Sequence, residues 1–291
     1  AEKGNQTRGS LVSELTERYY GLVLALQVVE VRRQVLEGLQ HHLSDAKALE
    51  ANGIIAKGER LYAEVHTAEA ERELLKAQKT VETLYSALSN TLGGDESTYI
   101  PATSMFILND IEDVNYFKDL AKQHSPLLKQ VGYKKQLATE NMRLQRADFA
   151  PQVALTGMAA FYNYQVSPII PKWAVGAGVS LKIFDGLNRE YKFSAAKSQI
   201  RQVEAVGHQA ESDILTLIDK LYNEMVTYSQ QLPSVNASGR FAEEYLRIKE
   251  EAFKEGAAPS SDVVDARLNL AKIRIERLQA AYYYDMMLAR L

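Results

Sequence analysis

Apolar residues recur every three to four positions over long stretches of this sequence. Near the C-terminus the intervals alternate between four and three residues, the spacing that pairs helices in coiled coils. This seam consists of Val264, Leu268, Ala271, Ile275, Leu278 and Tyr282. A second seam consists of Leu74, Ala77, Val81, Leu84 and Leu88. The pattern predicts a mainly helical protein, with helices over about 10–50 and about 187–252 that would be roughly 60 to 100 Å long.

The chain also resembles itself at an offset of about 203 residues. Gly53 corresponds to Gly256, and Glu59 corresponds to Asp262. The other matches pair Leu61 with Val264, Ala63 with Ala266 and Leu88 with Leu291. Self-similarity of this kind indicates two copies of one structural unit. We therefore predict an internal two-fold repeat, in which each copy is a long antiparallel helical hairpin.

After Pro151 the pattern changes to strict alternation, which is typical of strands. One face of the first run carries Val153, Leu155, Gly157, Ala159 and Phe161, and one face of the second carries Trp173, Val175, Ala177, Val179, Leu181 and Ile183. Each run has about twelve residues, and about 9 to 11 are enough for a tilted strand to cross a bilayer. The linking segment 165–172 contains two prolines, which suit a loop. The pattern predicts a β-hairpin, either in a membrane or buried in a soluble domain.

Composition and charge exclude several classes of partner. The net charge is −3 and the basic residues are dispersed, so nucleic acid is not expected as a partner. Cysteine is absent, which excludes disulfides and thiolate metal sites. The first ten residues lack the features of a signal peptide, so we expect a mature, trimmed or partial chain. An apolar run of about 18 residues, as a transmembrane helix requires, is also absent.

Catalytic and cofactor motifs are missing too. The adjacent His41 and His42 lack the spacing of a helical metal pair, and both are expected at the surface. The Gly176-Ala177-Gly178 stretch lacks the third glycine of a dinucleotide site. The sequence contains no nucleophile elbow, Walker loop or metalloprotease motif. We therefore expect a protein that is not an enzyme and that holds no metal and no cofactor.

Several motifs resemble the TolC-type outer-membrane factor family, the channel partners of tripartite efflux pumps and type I secretion systems. They are Ser125-Pro126-Leu127-Leu128, Ala150-Pro151, the stretch 180–186 from Ser180 to Gly186, and the stretch 255–266 from Glu255 to Ala266. The resemblance covers nearly the whole chain. It implies a homotrimer that combines a shared transmembrane β-barrel with a long periplasmic α-barrel. Only one of the family's two strand pairs is present, so we expect the first pair to be missing from this sequence.

The resemblance also implies a division of the chain and a function. The expected segments are a first-repeat helical hairpin (1–92), an irregular equatorial segment (93–126), a second-repeat helix (127–150), a transmembrane β-hairpin (151–186) and a second-repeat helical hairpin (187–291). The implied function is passive export from the periplasm through an outer-membrane duct. Its partners would be a periplasmic adaptor protein, an inner-membrane pump reached through that adaptor, and outer-membrane lipid. A soluble periplasmic coiled-coil scaffold or adaptor is the alternative.

Individual roles follow from the same resemblance. Asp262 and Asp265 match acidic positions that ring the narrow periplasmic end of the duct, where carboxylates from three copies would favour cations. Asp262 could instead serve only to complement a helix dipole. Ala258 replaces a basic residue that is common at the second tip of family members, so this position lacks the cation of their salt-bridge lock.

The remaining assignments concern docking and lipid contact. The adaptor-docking tips would be Gly53, Ile54, Ile55 and Ala56 in the first hairpin and Gly256, Ala257, Ala258 and Pro259 in the second. Gly53 and Gly256 are also expected to end helices with a positive φ. The lipid-facing strand would present Trp173, Val175, Val179, Leu181 and Ile183, while Lys182 would point to the lumen.

Overall fold

The computed structural model describes residues 2–93, 101–108, 110–159 and 173–291. These ranges contain six helices and two strands. In chain order they are α1 (Glu2–Ala51), α2 (Lys57–Leu92), α3 (Val114–His124), α4 (Pro126–Ala147), β1 (Gln152–Ala159), β2 (Trp173–Ser180), α5 (Asn188–Lys254) and α6 (Ser260–Arg290). The predicted mainly helical protein with a β-hairpin is confirmed. None of these helices combines the length and the apolar character that a membrane span requires.

The chain forms two compact units. The smaller unit contains the N-terminal residues and Leu120–Leu215, which include α4 and the strands. The larger unit contains Gly4–Asp119 and Thr216–Leu291, and therefore both helix-turn-helix ends. The segment predicted to be irregular, 93–126, contains α3, and α4 begins after Ser125, whose hydroxyl accepts a hydrogen bond from the Leu128 N–H at 3.5 Å.

Both helical hairpins turn in the same way. α1 and α5 are each followed by a glycine in the left-handed region, with φ of 71° at Gly53 and 73° at Gly256. The Gly53 N–H donates to the Glu50 carbonyl at 2.9 Å, and the Gly256 N–H donates to the Phe253 carbonyl at 2.9 Å. The positive φ predicted for the two glycines is confirmed. A left-handed residue satisfies carbonyls that a helix end would leave without donors, and glycine adopts it at little cost.

In the larger unit, α6 packs against the other three long helices. One core cluster near the hairpin ends joins Ala46 of α1, Ala63 of α2 and Phe253 of α5 to Val263 and Ala266 of α6. A second cluster, farther along, is built from Val31, Val35, Leu39, Ala70, Val264 and Ala271. The many alanines let the helix backbones approach closely. The predicted seam is largely buried or half-buried, although Leu268 is exposed.

The β-hairpin places the apolar sides of both strands on one face. β1 pairs with β2 in antiparallel register, so that Val153 lies opposite Val179, Gly157 opposite Val175 and Ala159 opposite Trp173. Residues directly opposite in such a ladder project to the same side. The described strands belong to the smaller unit, and their large apolar side chains on this face are 67% to 80% exposed.

The predicted length of the second strand is wrong at its C-terminal end. β2 ends at Ser180, so Leu181 and Ile183 lie beyond it. Ser180 pairs with Gln152, and the next residue on that side is Pro151, which has no N–H to donate to a ladder. The far end of the first predicted run, including Phe161, and the link 165–172 lie outside the described residues.

Candidate functional site

The ends of the two helical hairpins meet through a buried polar junction. The backbone N–H of Ser260 donates to the Glu59 carboxylate at 2.6 Å. Ser260 is the first residue of α6, and the preceding cap residue, Pro259, makes no side-chain capping bond. An N–H at this position has no partner within its own helix, and a negative charge is favourable there. Glu59 of α2 therefore caps α6 of the other hairpin.

His42 of α1 enters the same junction. Its Nε2 atom is hydrogen-bonded to the Ser260 hydroxyl at 2.6 Å, and its ring centroid lies 4.4 Å from that of Phe253 in α5. Only 5% of His42 is exposed. We call the group His42, Glu59, Phe253 and Ser260 the tip junction, and it draws one residue from each of the four long helices.

The surface location predicted for His41 and His42 is wrong for His42. His41 is exposed, whereas His42 belongs to the buried stripe of α1. That stripe includes Val35, Leu39, His42 and Ala46, spaced at intervals of four, three and four residues. The helical periodicity of these positions is a signal in the sequence that places His42 on the core face.

Burial, and to a smaller extent the nearby Arg267 guanidinium, lower the pKa of His42 to about 4, against an opposing effect of Asp45. The imidazole is therefore neutral near pH 7. Ser260 is fully buried, so a substrate cannot reach its hydroxyl. The arrangement of histidine, serine and carboxylate is consequently a structural contact between helices, and it does not form a nucleophilic site.

Arg267 lies beside the junction because Gly38 leaves room for it. A Cβ atom at Gly38 would be 1.7 Å from the Arg267 Nη1 atom. The guanidinium pairs with Glu250 of α5. Arg267 of α6 therefore contacts α1 at Gly38 and pairs with Glu250 of α5, so it links the two hairpins.

The predicted gate residue Asp262 is half-buried in the first turn of α6, and it is not free. The Lys249 ammonium of α5 donates to its carboxylate at 2.6 Å and lies 5.4 Å from the centre of the Tyr245 ring. The hydrogen bond to Asp262 raises the pKa of Lys249. Lys249 therefore provides a cation near the second turn, where Ala258 replaces the basic residue of the family. Lys249 was not identified from the sequence. The second predicted gate residue, Asp265, is exposed.

The first hairpin has an ion pair of its own. Arg60 of α2 pairs with Glu50 of α1 at 2.6 Å and with Glu64 at 2.5 Å. Each hairpin therefore joins its two helices near the turn by a basic and an acidic side chain. The residues occupy different positions in the two hairpins, so the offset of the sequence repeat does not reveal them.

The residues predicted to form the docking tips are brought together in part. A Cβ atom on Gly256 would lie 3.0 Å from the Ile54 Cγ2 atom, so the two turns are in direct proximity. The exposed members of the predicted set are Gly53, Ile54, Ala56, Gly256, Ala257 and Pro259. Ile55 packs against a core cluster and Ala258 is half-buried. Within the described ranges, His, Asp and Glu side chains form no group that could hold a metal.

This arrangement of helical hairpins and a β-hairpin is similar to the fold of solved outer-membrane proteins. A membrane protein from Pseudomonas aeruginosa matches it with a TM-score of 0.86 and 17% identity, over 99% of this chain and 68% of that one. The outer membrane protein VceC of Vibrio cholerae gives 0.85 and 18%, over 99% and 71%. The Campylobacter jejuni CmeC outer membrane channel gives 0.75 and 17%, over 97% and 61%.

The family model described as outer membrane efflux protein matches residues 118–291. The chain therefore belongs to the outer membrane efflux protein family, and the predicted resemblance to TolC-type channels is confirmed. This is a family of channels of the Gram-negative outer membrane and not of enzymes. No curated protein sequence matches the chain.

Proposed function

We propose that this chain forms part of a passive outer-membrane duct that exports solutes from the periplasm to the exterior. The observation that carries the proposal is the β-hairpin, whose apolar face includes Val153, Leu155, Val175 and Val179 and is exposed. Apolar residues on one side of paired strands are what a lipid-facing strand presents. Family membership supports the same function.

In this proposal three copies share one transmembrane β-barrel and one periplasmic α-barrel. Among the described residues the two-stranded sheet has unpaired backbone groups on its outer edges, which hydrocarbon does not tolerate, so strands from other copies or from the pair expected to be missing from this sequence would cover them. Trp173, Val175 and Val179 would face lipid. Leu181 and Ile183, which are 54% and 90% exposed beyond the strand end, would contact the bilayer at its boundary.

The matching turns at Gly53 and Gly256 support an internal two-fold repeat. A repeat would let the two hairpins of each copy occupy similar positions around a ring. We propose that the exposed ends of these hairpins dock a periplasmic adaptor, and through it an inner-membrane pump. Small residues such as Ala56, Gly256 and Ala257 allow a helix end of the partner to approach closely.

We further propose that Asp265 and the Lys249–Asp262 pair line the narrow periplasmic end of the duct. Because Lys249 offsets the charge of Asp262, Asp265 is the one of these two carboxylates that carries no ion pair among the described residues. A ring of three such groups would favour cations. Removal of the Lys249 charge would add the Asp262 carboxylate to this ring.

The first test is the mass of the full-length protein by light scattering, in mild detergent and in plain buffer. A trimer that requires detergent is the expected result. A monomer or oligomer that is indifferent to detergent would instead identify a soluble periplasmic scaffold.

The second test measures single-channel conductance and ion selectivity in planar bilayers. Asp265→Asn should lower the preference for cations, and Lys249→Met should raise it. Lys272→Met, an exposed change on α6, is the matched control for loss of a lysine and should behave as the wild type. The double change Asp262→Ala with Asp265→Ala should raise conductance, and unchanged conductance and selectivity would reject the gate.

A further inference from the structure

We propose that His42 is a proton-operated latch, which holds the two hairpin ends of one chain together while it is neutral and releases them when it is protonated. The inference rests on the proposed function of the hairpin ends as the gate of a duct. It concerns the regulation of that gate, and it assigns the regulatory role to a residue that is remote from Asp262 and Asp265 in the sequence.

The hydrogen bonds that join one hairpin to the other near the turns converge on Ser260, beside the apolar cluster that also packs the four helices together. Its hydroxyl contacts His42 and its backbone N–H contacts Glu59, and both partners belong to the first hairpin. The ion pairs Lys249–Asp262 and Arg60–Glu50 lie within single hairpins, so they do not join the two. The apolar contact between Ile54 and Gly256 lies at the turns themselves. Ser260 is thus bonded to both α1 and α2, so loss of the His42 contact weakens the connection of α6 to the first hairpin.

Neutral His42 fits the junction and its protonated form does not. The ring is buried and lies against Phe253, so water cannot solvate a new charge. The Arg267 guanidinium acts on the ring and would repel a second positive charge. The pKa of His42 in the junction is lowered from 6.5 to about 4, so its contribution to the closed state is lost as the pH falls from about 6.5 to about 4.

The ionisable groups around His42 do not compensate an imidazolium. On α1, Asp45 attracts the charge, but this effect is smaller than burial or the repulsion by Arg267. On α6, Arg267 repels it, and on α5 the Glu250 carboxylate is already paired with that arginine. The Glu59 carboxylate of α2 is bonded to the Ser260 N–H. The other ionisable groups that line the adjoining groove are Glu37, His41 and Lys254.

The absence of native cysteine makes the separation of the hairpin ends directly measurable. Asn52→Cys and Ala257→Cys place spin labels on two exposed positions, one beside each turn. Pulsed electron paramagnetic resonance on the full-length protein then gives the distance distribution between about pH 7.5 and 3.5. We expect one narrow population at neutral pH and a longer one that grows as the pH falls from about 6.5 toward about 4.

Three variants test whether His42 is responsible. His42→Gln retains a hydrogen-bonding group for Ser260 but cannot take up a proton, so its distribution should stay narrow throughout. His42→Phe retains a ring against Phe253 without the hydrogen bond, so the longer population should be present at every pH. His41→Gln, the exposed neighbour, is the matched control and should keep the wild-type transition.

The latch is overturned if the wild-type distribution stays narrow down to about pH 3.5, if His42→Gln shows the wild-type midpoint, or if His42→Phe stays narrow at neutral pH. Conductance measured over the same pH range separates the latch from the gate. A change in distance without a change in conductance would retain the latch and reject the gate. A parallel increase in both would support the two proposals together.

Discussion

The Ser260 backbone N–H donates to the Glu59 carboxylate across 2.6 Å, although the two residues are 201 positions apart. This bond lets α2 provide the N-terminal cap that α6 lacks in its own sequence, because Pro259 has no side-chain acceptor. The stability of the second hairpin therefore depends on a residue of the first.

Glu59→Ala should lower the free energy of unfolding by about 1 to 2 kcal/mol, the usual effect of losing a helix cap. Glu59→Gln should cost less, since an amide oxygen still accepts the bond while the favourable charge is lost. Thermal unfolding followed by circular dichroism measures both changes. Glu71→Ala, an exposed acidic position on the same helix, should have little effect. Equal destabilisation by Glu59→Ala and Glu71→Ala would contradict the capping role.

Gly38→Ala should destabilise the larger unit, because the added Cβ would lie 1.7 Å from the Arg267 Nη1 atom and force the guanidinium away from Glu250. The clashing atoms are the end of a flexible side chain, so we expect a loss of about 1 kcal/mol from the broken pair with Glu250 and not the larger cost of an overpacked core. Gly21→Ala on the same helix is the control, since open space surrounds that position. It should stabilise α1 by about 0.5 to 1 kcal/mol. Chemical denaturation compares the two variants, and changes of the same sign would disprove the argument.

Gly256→Ala and Gly53→Ala separate backbone strain from the contact between the turns. Both glycines have a positive φ, so each alanine should cost about 1 kcal/mol or more. Only the alanine at 256 would also meet Ile54, because the space around Gly53 is open. Gly256→Ala should therefore show the larger fall in melting temperature. In an Ile54→Ala background the difference between the two variants should shrink, and a constant difference would rule out the contact.

Asp285 should make stability depend on pH. Its carboxylate is 3% exposed and accepts a hydrogen bond from the Phe106 N–H at 3.2 Å, and burial raises its pKa from 3.8 to about 6. The folded state thus binds the proton more tightly than the unfolded state does. The resulting stabilisation is fully present below about pH 4 and is lost as the pH rises to about 6.

Asp285→Asn keeps an oxygen acceptor for Phe106 and removes the buried charge. The variant should be more stable than the wild type at about pH 8, by roughly 2 kcal/mol, and the difference should shrink toward about pH 4. Melting temperatures at several pH values provide the measurement. Asp110→Asn, which changes an exposed carboxylate, should leave the pH profile unaltered. A variant less stable than the wild type at about pH 8 would show that the charge is compensated.

The order of elements followed from periodicity in the sequence. Burial of one face imposes a period near 3.6 in a helix and 2 in a strand, so apolar spacing located the long helices and both strands. Gly53 and Gly256 marked the turns because few other residues adopt a positive φ. Motifs around 180–186 and 255–266 were enough to indicate the family, which the family match confirmed.

The contacts at the hairpin ends were decided only by the tertiary structure. Lys249 and Asp262 are 13 residues apart, Glu59 and Ser260 are 201 apart, and His42 and Ser260 are 218 apart. These separations along the sequence are much larger than the three or four residues over which helical spacing brings side chains together. Which partner each polar group meets depends on how the four helices pack against one another. The local pattern can therefore place His42 on a buried face, but it cannot name Ser260 as the group it contacts.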